Sequence, residues 1–223
     1  MRVACAVLTF NVYTLDRLDG LHTTLRTISE PGWPVFLVDN GSTDQTEDLV
    51  RRLGGWRNPG PNRTIGEGMN CAIGAALSVK PDVVVFSNDD MRWHAGWADQ
   101  LQAFWAEAPE DIAICGGLLE RKVWSWNTPI AAHQIGAVRV LERATIPAGA
   151  WTFRSSKWLD IGPIPTQDNC WTDVPTCRKL TAAGMRLVCA DWADHLAPDR
   201  SAWGNRSMEH GEPLDASWGF PPI

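Results

Sequence analysis

Three groups of carboxylate and amide side chains in this sequence could take part in chemistry together. Asp39 opens the run Asp39-Asn40-Gly41-Ser42, Asn88-Asp89-Asp90 forms a second group, and Asp173 is a third. Carboxylates bind hard divalent cations, accept hydrogen bonds from hydroxyl groups and act as general bases. Each group taken alone is also typical of an ordinary turn or an acidic helix start. Whether these groups form a functional site or ordinary turns therefore depends on where the surrounding strands and helices place them.

The first half of the sequence alternates apolar, strand-like runs with amphipathic runs, which indicates a mostly parallel sheet flanked by helices. Strands are predicted over 2–9, 35–39 and 83–86, and helices over 15–28, 42–53 and 66–79, with a loop over 56–62. Ser42-Thr43-Asp44-Gln45 has the form of a capping box at the start of the second helix. Ligands bind outside the carboxyl ends of strands in open α/β sheets. Asp39 and the Asn88–Asp90 group therefore fall where a ligand is expected.

The second half of the sequence is less regular. A helix is predicted over 97–107, followed by strands over 112–117 and 138–140, loops over 122–129 and 144–149, helices over 155–161 and 173–183, and a strand over 186–190. From Asp191 the chain is irregular and rich in Trp, Pro, Gly and charged residues. We expect residues 191–223 to form either a tail folded over the site or a partly ordered terminus.

Composition and short motifs argue against several classes of protein. A net charge of −6 without a basic run disfavours binding to a phosphate backbone or a membrane surface. No segment approaches the roughly 20 apolar residues of a membrane span or has the form of a signal peptide, so we expect a cytoplasmic protein. The six cysteines form no C-x-x-C pair, which argues against a zinc site or a disulfide framework. A P-loop is missing, and Gly66–Cys71 lacks the third glycine of a dinucleotide site.

Several segments resemble the family 2 glycosyltransferases of the GT-A fold. Val7-Leu8-Thr9-Phe10-Asn11 and Val38-Asp39-Asn40-Gly41-Ser42-Thr43-Asp44 are similar to the first two strands of that family and the residues that follow them. Phe86-Ser87-Asn88-Asp89-Asp90, followed by Ala95-Gly96-Trp97, resembles its D-x-D-type motif. Gly66–Asn70, Ala148–Gly162 and Trp171-Thr172-Asp173-Val174 resemble further family segments. The resemblance implies a GT-A catalytic domain over 1–190, with a nucleotide-binding half over 1–95 and an acceptor-binding half over 96–190.

The resemblance also implies a nucleotide-diphosphate sugar as donor and a divalent cation, Mn²⁺ or Mg²⁺, as cofactor. Asp90 is the expected metal ligand, and His195 stands where family members place a histidine that completes the metal site. Asp39 is expected to accept a hydrogen bond from a nucleoside base or a ribose hydroxyl. The other residues expected to bind the nucleotide sugar are Thr9, Phe10, Asn11, Asn70, Asn88 and Asp89. For Asn70, capping of local backbone is an equal alternative.

Asp173 is the expected general base, which would remove the proton of an acceptor hydroxyl in a single inverting displacement. The Q-x-x-R-W motif of processive synthases is missing, which favours transfer of one sugar. The acceptor could be a glycan, a lipid-linked sugar, a protein or a modified nucleic-acid base.

Two alternatives remain at this point. One is a nucleotidyltransferase, although residues 11–20 contain one glycine and one arginine where that class carries a glycine-rich basic loop. The other is a catalytically silent sugar-nucleotide-binding protein, because Thr172 replaces the acid that usually precedes the base.

Overall fold

The computed structural model describes residues 1–58, 64–117, 129–166 and 173–196, which form eleven strands and six α-helices. The strands are β1 (Val3–Thr9), β2 (Val35–Asp39), β3 (Trp56–Arg57), β4 (Val83–Asn88), β5 (Met91–Trp93), β6 (Ile112–Gly116), β7 (Ala131–Ile135), β8 (Val138–Arg143), β9 (Ala150–Arg154), β10 (Arg186–Cys189) and β11 (Ala193–His195). The helices are α1 (Leu18–Ile28), α2 (Thr46–Arg52), α3 (Ile65–Leu77), α4 (Trp97–Glu107), α5 (Trp158–Ile161) and α6 (Asp173–Ala182).

Nine strands form one sheet in the order β3-β2-β1-β4-β9-β6-β10-β8-β7, and β5 and β11 form a separate two-stranded ribbon. Among the described strands of the large sheet, β8 and β9 run in one direction and the other seven run in the opposite direction. The predicted α/β fold with a mostly parallel sheet flanked by helices is confirmed. This topology brings the carboxyl ends of β1, β2, β4, β6 and β10 to one edge.

The central strands are apolar on both faces because helices cover both sides of the sheet. All seven residues of β1 are buried, and successive residues enter different cores. Cys5 and Val7 pack with residues of α1 and α4, whereas Ala4, Ala6 and Leu8 pack with residues of α3 and α6. A strand buried on both faces reads as a continuous apolar run, which is why β1 was predictable.

Several element boundaries differ from the prediction for identifiable reasons. Helix α1 begins at Leu18 rather than at residue 15, because Asn11 and Asp16 have φ angles of 48° and 53°, which a right-handed helix cannot contain. The predicted loop over 56–62 contains the short strand β3. Residues 59–62 of that loop lie outside the described residues, as do residues 122–128 of another predicted loop.

The predicted capping box at the start of α2 does not form. The helix begins at Thr46, and no side-chain hydrogen bond caps it from Gln45. Asp44 instead accepts a hydrogen bond from the Thr46 N–H at 2.9 Å, while the hydroxyl of Ser42 donates to Asp39. The short polar side chains of this turn therefore connect neighbouring loops in addition to starting the helix.

The interpretation of the chain from Asp191 onward as irregular is wrong for residues 193–195. These residues form β11, which pairs antiparallel with β5 so that His195 lies opposite Met91. Strands of three residues are too short to show a hydrophobic period, so neither β5 nor β11 was predicted. Residues 197–223 lie outside the described residues, and the predicted tail over the site stays a prediction for them.

Candidate active site

A cavity that opens to solvent, with about 430 Å³ of space including its open mouth, lies at the edge of the sheet where β1, β2 and β4 end. Six of the site residues predicted from the sequence line it together with four other residues. The lining residues are Leu8, Thr9, Phe10, Arg17, Asn40, Ile65, Asn88, Asp89, Asp90 and His195. The structure thus brings together five residues predicted for donor or metal binding from β1 and β4, and it adds His195 from 105 positions further along the chain than Asp90.

Asp89 is held by groups from the loop that follows β1. Its carboxylate accepts hydrogen bonds from the Thr9 hydroxyl at 2.7 Å, the Phe10 N–H at 3.3 Å and Nη2 of Arg17 at 2.6 Å. The side chain is 2% exposed, so these bonds replace the water that an ionised carboxylate would otherwise require. Thr9 and Phe10 therefore fix the carboxylate at the wall of the cavity.

Asp90 contacts both Arg17 and His195. Its Oδ2 accepts a hydrogen bond from Nη2 of Arg17 and lies 3.1 Å from Nε2 of His195. Its Oδ1 is buried and has no hydrogen-bond partner among the described residues. The β5–β11 ribbon holds this arrangement, because the Leu196 N–H donates to the Asp90 carbonyl at 2.8 Å. An orphaned carboxylate oxygen beside an imidazole nitrogen is a donor set suited to a cation.

The two adjacent carboxylates differ in their affinity for protons. Burial raises the pKa of Asp89 to about 6, against the opposing effect of Arg17. Burial also acts to raise the pKa of Asp90, but the hydrogen bond and charge of His195, together with Arg17, hold that pKa below its usual value. Asp90 thus keeps its negative charge near neutral pH, as a ligand for a divalent cation must.

Helix α1 supports the ribbon that carries His195. The fully buried Thr24 hydroxyl donates to the Met91 carbonyl at 2.7 Å and accepts from the Met91 N–H at 2.9 Å. Thr27 accepts a further bond from the Trp93 N–H at 3.1 Å. The helix lies close to the backbone of Asp89 at Gly20, where an added Cβ would be 3.2 Å from the Asp89 carbonyl oxygen. These contacts fix β5 directly after the Asp89–Asp90 pair.

Asp39 and Asn11 lie behind the cavity wall. Asp39 has 0% exposure, and both of its oxygens accept from Ser42, whose hydroxyl in turn accepts from the Asn11 N–H at 2.8 Å. Asn11 also accepts from the Thr43 N–H at 2.8 Å. Burial raises the pKa of Asp39, although the bonds from Ser42 oppose this. These bonds tie the loop after β1 to the loop after β2.

Two predicted residues from other elements occupy distinct places. Asn88 lines the cavity, and its N–H donates to the Gly149 carbonyl at 2.8 Å, next to the start of β9. Asn70 exchanges two hydrogen bonds with the backbone of Ile164, at 2.9 and 2.8 Å, and so joins α3 to the segment before α6. Asn70 does not line the cavity, and its predicted contact with the nucleotide sugar stays a prediction.

Asp173 is the first residue of α6. One of its oxygens accepts from the Val174 N–H at 3.0 Å, and the helix is anchored in the core by Val174, Cys177 and Leu180. A short turn joins α6 to β10, and a helix that packs back on its strand places its first residue at the strand's carboxyl end. The topology therefore puts Asp173 at the same sheet edge as the cavity. Trp171 and Thr172 lie outside the described residues.

Two polar residues of the cavity were not predicted from the sequence. Arg17 fell inside the helix predicted over 15–28, where an arginine indicates a solvated helix face. Asn40 was treated only as part of a turn, yet its amide donates to the Thr64 carbonyl at 3.2 Å and accepts from Asn58 at 3.2 Å. A pair of buried adjacent carboxylates requires a nearby cation. That requirement is the signal that could have indicated Arg17.

The donor set at Asp90 fits a divalent cation of the kind expected. No group of three or more His, Cys, Asp or Glu side chains suited to a metal occurs within the described residues. Asp90 and His195 nevertheless supply two ligands of the types that Mn²⁺ accepts. Cations at phosphate sites are commonly held by one or two carboxylates, with water and phosphate oxygens completing the shell. The residues present are therefore compatible with a metal that binds together with a phosphate ligand.

The mixed sheet flanked by helices has the GT-A fold of sugar-transferring enzymes. The glycosyl transferase family 2 model matches residues 5–177. The chain belongs to glycosyl transferase family 2. A search of curated proteins found no match.

Solved structures with the same fold include several glycosyltransferases. S. aureus TarS is 16% identical, with a TM-score of 0.61 over 90% of this chain and 38% of its own. GalNAc-T7 with UDP, GalNAc and Mn²⁺ is 12% identical, with a TM-score of 0.61 over 87% of this chain and 43% of its own. The mannosyltransferase PcManGT from Pyrobaculum calidifontis, in complex with GDP-Man and Mn²⁺, is 20% identical, with a TM-score of 0.61 over 94% and 60%. This chain thus spans from 38% to 60% of the length of these three proteins.

None of the helices in the described parts of the chain combines the length and the apolar character required to cross a bilayer.

Proposed function

We propose that this protein is a metal-dependent, inverting glycosyltransferase that moves one sugar from a nucleotide-diphosphate sugar to an acceptor hydroxyl. The observation that carries the proposal is the contact between Asp90 and His195 beside Asp89, at the carboxyl ends of β1 and β4. The cleft beside these residues opens to solvent, which supports binding of a cation and a nucleotide sugar at this place. The match to glycosyl transferase family 2 supports the same reaction class.

Donor binding is assigned to the cavity between β1, β2 and β4. Asn88 and Asp89 are proposed to contact the ribose, and Thr9, Phe10 and Asn11 to form the wall next to it. Asp39 has no exposed surface, so its predicted contact with the base or ribose requires the loop at Phe10 and Asn11 to move. A divalent cation held by Asp90 and His195 would offset the negative charge that develops on the leaving diphosphate.

Asp173 is proposed as the general base. The oxygen of the acceptor hydroxyl attacks the anomeric carbon while the bond from that carbon to the diphosphate oxygen breaks. The hydroxyl proton passes to the Asp173 carboxylate, and a single displacement of this kind inverts the anomeric configuration. Asp173 lies at the sheet edge that holds the cavity, which supports this role because a general base must be within reach of the acceptor hydroxyl beside the donor.

The donor is proposed to be a uridine or guanosine diphosphate sugar. Solved neighbours were crystallised with UDP, with UDP-GlcNAc and with GDP-Man. The acceptor remains one of the classes that the sequence left open, and the cytoplasmic location remains a prediction.

A thermal-shift experiment tests the proposal. Purified protein is scanned with UDP, GDP, dTDP or CMP in the presence of Mn²⁺, Mg²⁺ or EDTA, because a ligand that binds the folded state raises the melting temperature. We expect one nucleoside diphosphate to raise it with metal, and the shift to disappear in Asp90→Ala. If no nucleotide stabilises the protein under any metal condition, the donor site is assigned wrongly.

A further inference from the structure

Arg17 occupies a position in the cavity that donor binding alone does not explain. It directly precedes α1 and is 8% exposed. A single nitrogen, Nη2, lies 2.6 Å from Oδ1 of Asp89 and also bonds to Oδ2 of Asp90. The guanidinium is thus wedged between the two carboxylates, and its Nε is buried with no hydrogen-bond partner among the described residues. It neutralises part of a buried acidic pair that would otherwise be strongly destabilising.

The same position restricts access to Asp90. Oδ2 of Asp90 already contacts both Arg17 and His195, so a cation that used Asp90 and His195 together would have to enter beside the guanidinium. A divalent cation bound to Oδ2 of Asp90 would lie next to the positive guanidinium of Arg17, and the two charges would repel each other strongly in a poorly solvated site. Oδ1 of Asp90 is buried and has no hydrogen-bond partner among the described residues, but this oxygen alone would give a cation one ligand rather than the two that Asp90 and His195 offer together.

We propose that Arg17 is a built-in counter-cation that competes with the divalent metal for Asp90. In the metal-free protein it stabilises the Asp89–Asp90 pair, and metal binding must displace it from Asp90 or overcome its charge. Arg17 is therefore a positioning residue that sets the affinity of the site for metal. The inference rests on the proposed function, because it takes Asp90 and His195 as the metal ligands.

The test measures Mn²⁺ binding to the nucleotide-free protein by calorimetry. The variants are Arg17→Met and Arg17→Gln, which remove the charge, and Arg17→Lys, which keeps it. We expect roughly tenfold or tighter Mn²⁺ binding in the two neutral variants and a smaller change in Arg17→Lys. The gain should vanish when Asp90→Ala is added to Arg17→Met, because the competition is for that carboxylate.

Arg154→Met is the matched control. Arg154 is also a largely buried arginine in an ion pair, with Glu110, but it lies opposite Val83 at the other edge of the sheet. Its substitution should leave Mn²⁺ affinity unchanged. Melting temperatures give a second readout, since Arg17→Met should melt lower than wild type in EDTA and gain more from Mn²⁺ than wild type does. A purely structural role for Arg17 would lower both melting temperatures equally.

Each outcome decides the inference. Equal or weaker Mn²⁺ binding by both neutral variants, or no binding by any protein, overturns it. A neutral variant that folds only when Mn²⁺ is added supports it, because the metal then replaces the missing charge. If the neutral variants gain Mn²⁺ affinity but no nucleoside diphosphate stabilises any protein, the donor assignment fails while the competition stands. If a nucleotide binds with metal but the neutral variants gain nothing, the proposed function stands and the role of Arg17 fails.

Discussion

The two sides of the proposed site are built differently. On the donor side, Asp39, Asp89 and Asp90 are almost fully buried and receive hydrogen bonds from groups of several other segments. On the acceptor side, Asp173 is partly exposed and accepts a bond from the next residue in the chain. Its helix is held by the packing of Val174, Cys177 and Leu180 in the core.

This difference indicates which side of the site is fixed before ligands bind. Carboxylates held by buried hydrogen bonds cannot change rotamer without losing those bonds, so the donor-side carboxylates are held in place in the ligand-free protein, and the loop at Phe10 and Asn11 is the part that must move. A carboxylate at a helix start retains more freedom and can adjust to an acceptor. Variants on the two sides should therefore separate binding of the donor from transfer of the sugar.

Asp173→Asn should have the largest effect on activity. Without a base for the acceptor proton, we expect kcat to fall by roughly 10²- to 10⁴-fold. The metal-dependent thermal shift with the nucleotide should be unchanged, because Asp173 lies on the acceptor side. Product formation under saturating donor, alongside the thermal shift, measures both quantities.

Asp111→Asn is the control for that substitution. Asp111 is exposed and pairs with Arg186 at the amino end of β10, at the sheet edge opposite the site, so transfer should continue at the wild-type rate. Full activity in Asp173→Asn would exclude it as the base. Loss of nucleotide binding in that variant would mean that the two sides are not separable.

Gly68→Ala should destabilise the donor side through a steric clash. A Cβ at Gly68 would lie 2.5 Å from Oδ1 of Asn40, whose side chain is held between Thr64 and Asn58. Overpacking of this kind typically costs about 1–3 kcal/mol. Urea unfolding measures the loss, and nucleotide binding should weaken as well because Asn40 lines the cavity.

Gly74→Ala on the same helix is the matched control. A Cβ there meets nothing within 4 Å, so replacing glycine within a helix should stabilise the protein by about 0.5–1 kcal/mol. Equal behaviour of the two alanine variants would show that the contact at Asn40 is not under steric constraint.

Most of the parallel sheet was predictable because each strand and helix is marked by the pattern of apolar residues within its own segment. The bounds of β2 and α4 match the predicted ranges 35–39 and 97–107, since buried apolar runs and an amphipathic period identify each element without reference to its neighbours. Asp39 and the Asn88–Asp90 group were assigned to strand ends because they end or closely follow predicted strands. Their placement at one sheet edge follows from parallel topology.

The features that the sequence did not predict depend on contacts between distant segments. The ribbon of β5 and β11 forms only because residues about 100 positions apart pair with each other, and α1 supports it through the Thr24 hydroxyl. Ser42 has the sequence of a helix cap, but its hydroxyl oxygen accepts from the Asn11 N–H of another loop while its proton goes to Asp39. Arg17 was missed because a charged side chain near a helix start gives no sign that it points inward.

Thr24→Val tests whether the support of the ribbon matters to the donor side. Valine keeps the shape of threonine but leaves the buried Met91 N–H and carbonyl without their partner, which we expect to cost about 1–3 kcal/mol. The affinity for Mn²⁺ should fall with it, since the ribbon carries His195. Thr23→Val, at a partly exposed position of the same helix, should change stability by less than about 0.5 kcal/mol. If both variants keep wild-type metal affinity, the ribbon does not depend on Thr24.

Asp44→Ala should have the smallest effect and a distinctive pH dependence. Asp44 accepts from the Thr14 N–H and the Thr46 N–H, each at 2.9 Å, and so joins the loop after β1 to the start of α2. Burial acts to raise the pKa of Asp44, but these hydrogen bonds outweigh it and hold that pKa below its usual value. A carboxyl group whose pKa is lower in the folded than in the unfolded state stabilises the protein above its unfolded pKa.

The loss caused by Asp44→Ala should therefore be about 0.5–1 kcal/mol near pH 7. It should shrink as the pH falls below the unfolded value of 3.8 and through the lower folded pKa, because protonation removes the charge that the two N–H groups favour. Unfolding free energies of wild type and variant between pH 3 and pH 7 measure this difference. Asp48→Ala, which removes an exposed carboxylate from the same helix, is the control. A constant difference across that range would show that Asp44 acts through its shape rather than its charge, and that charge is not what joins these two loops of the donor side.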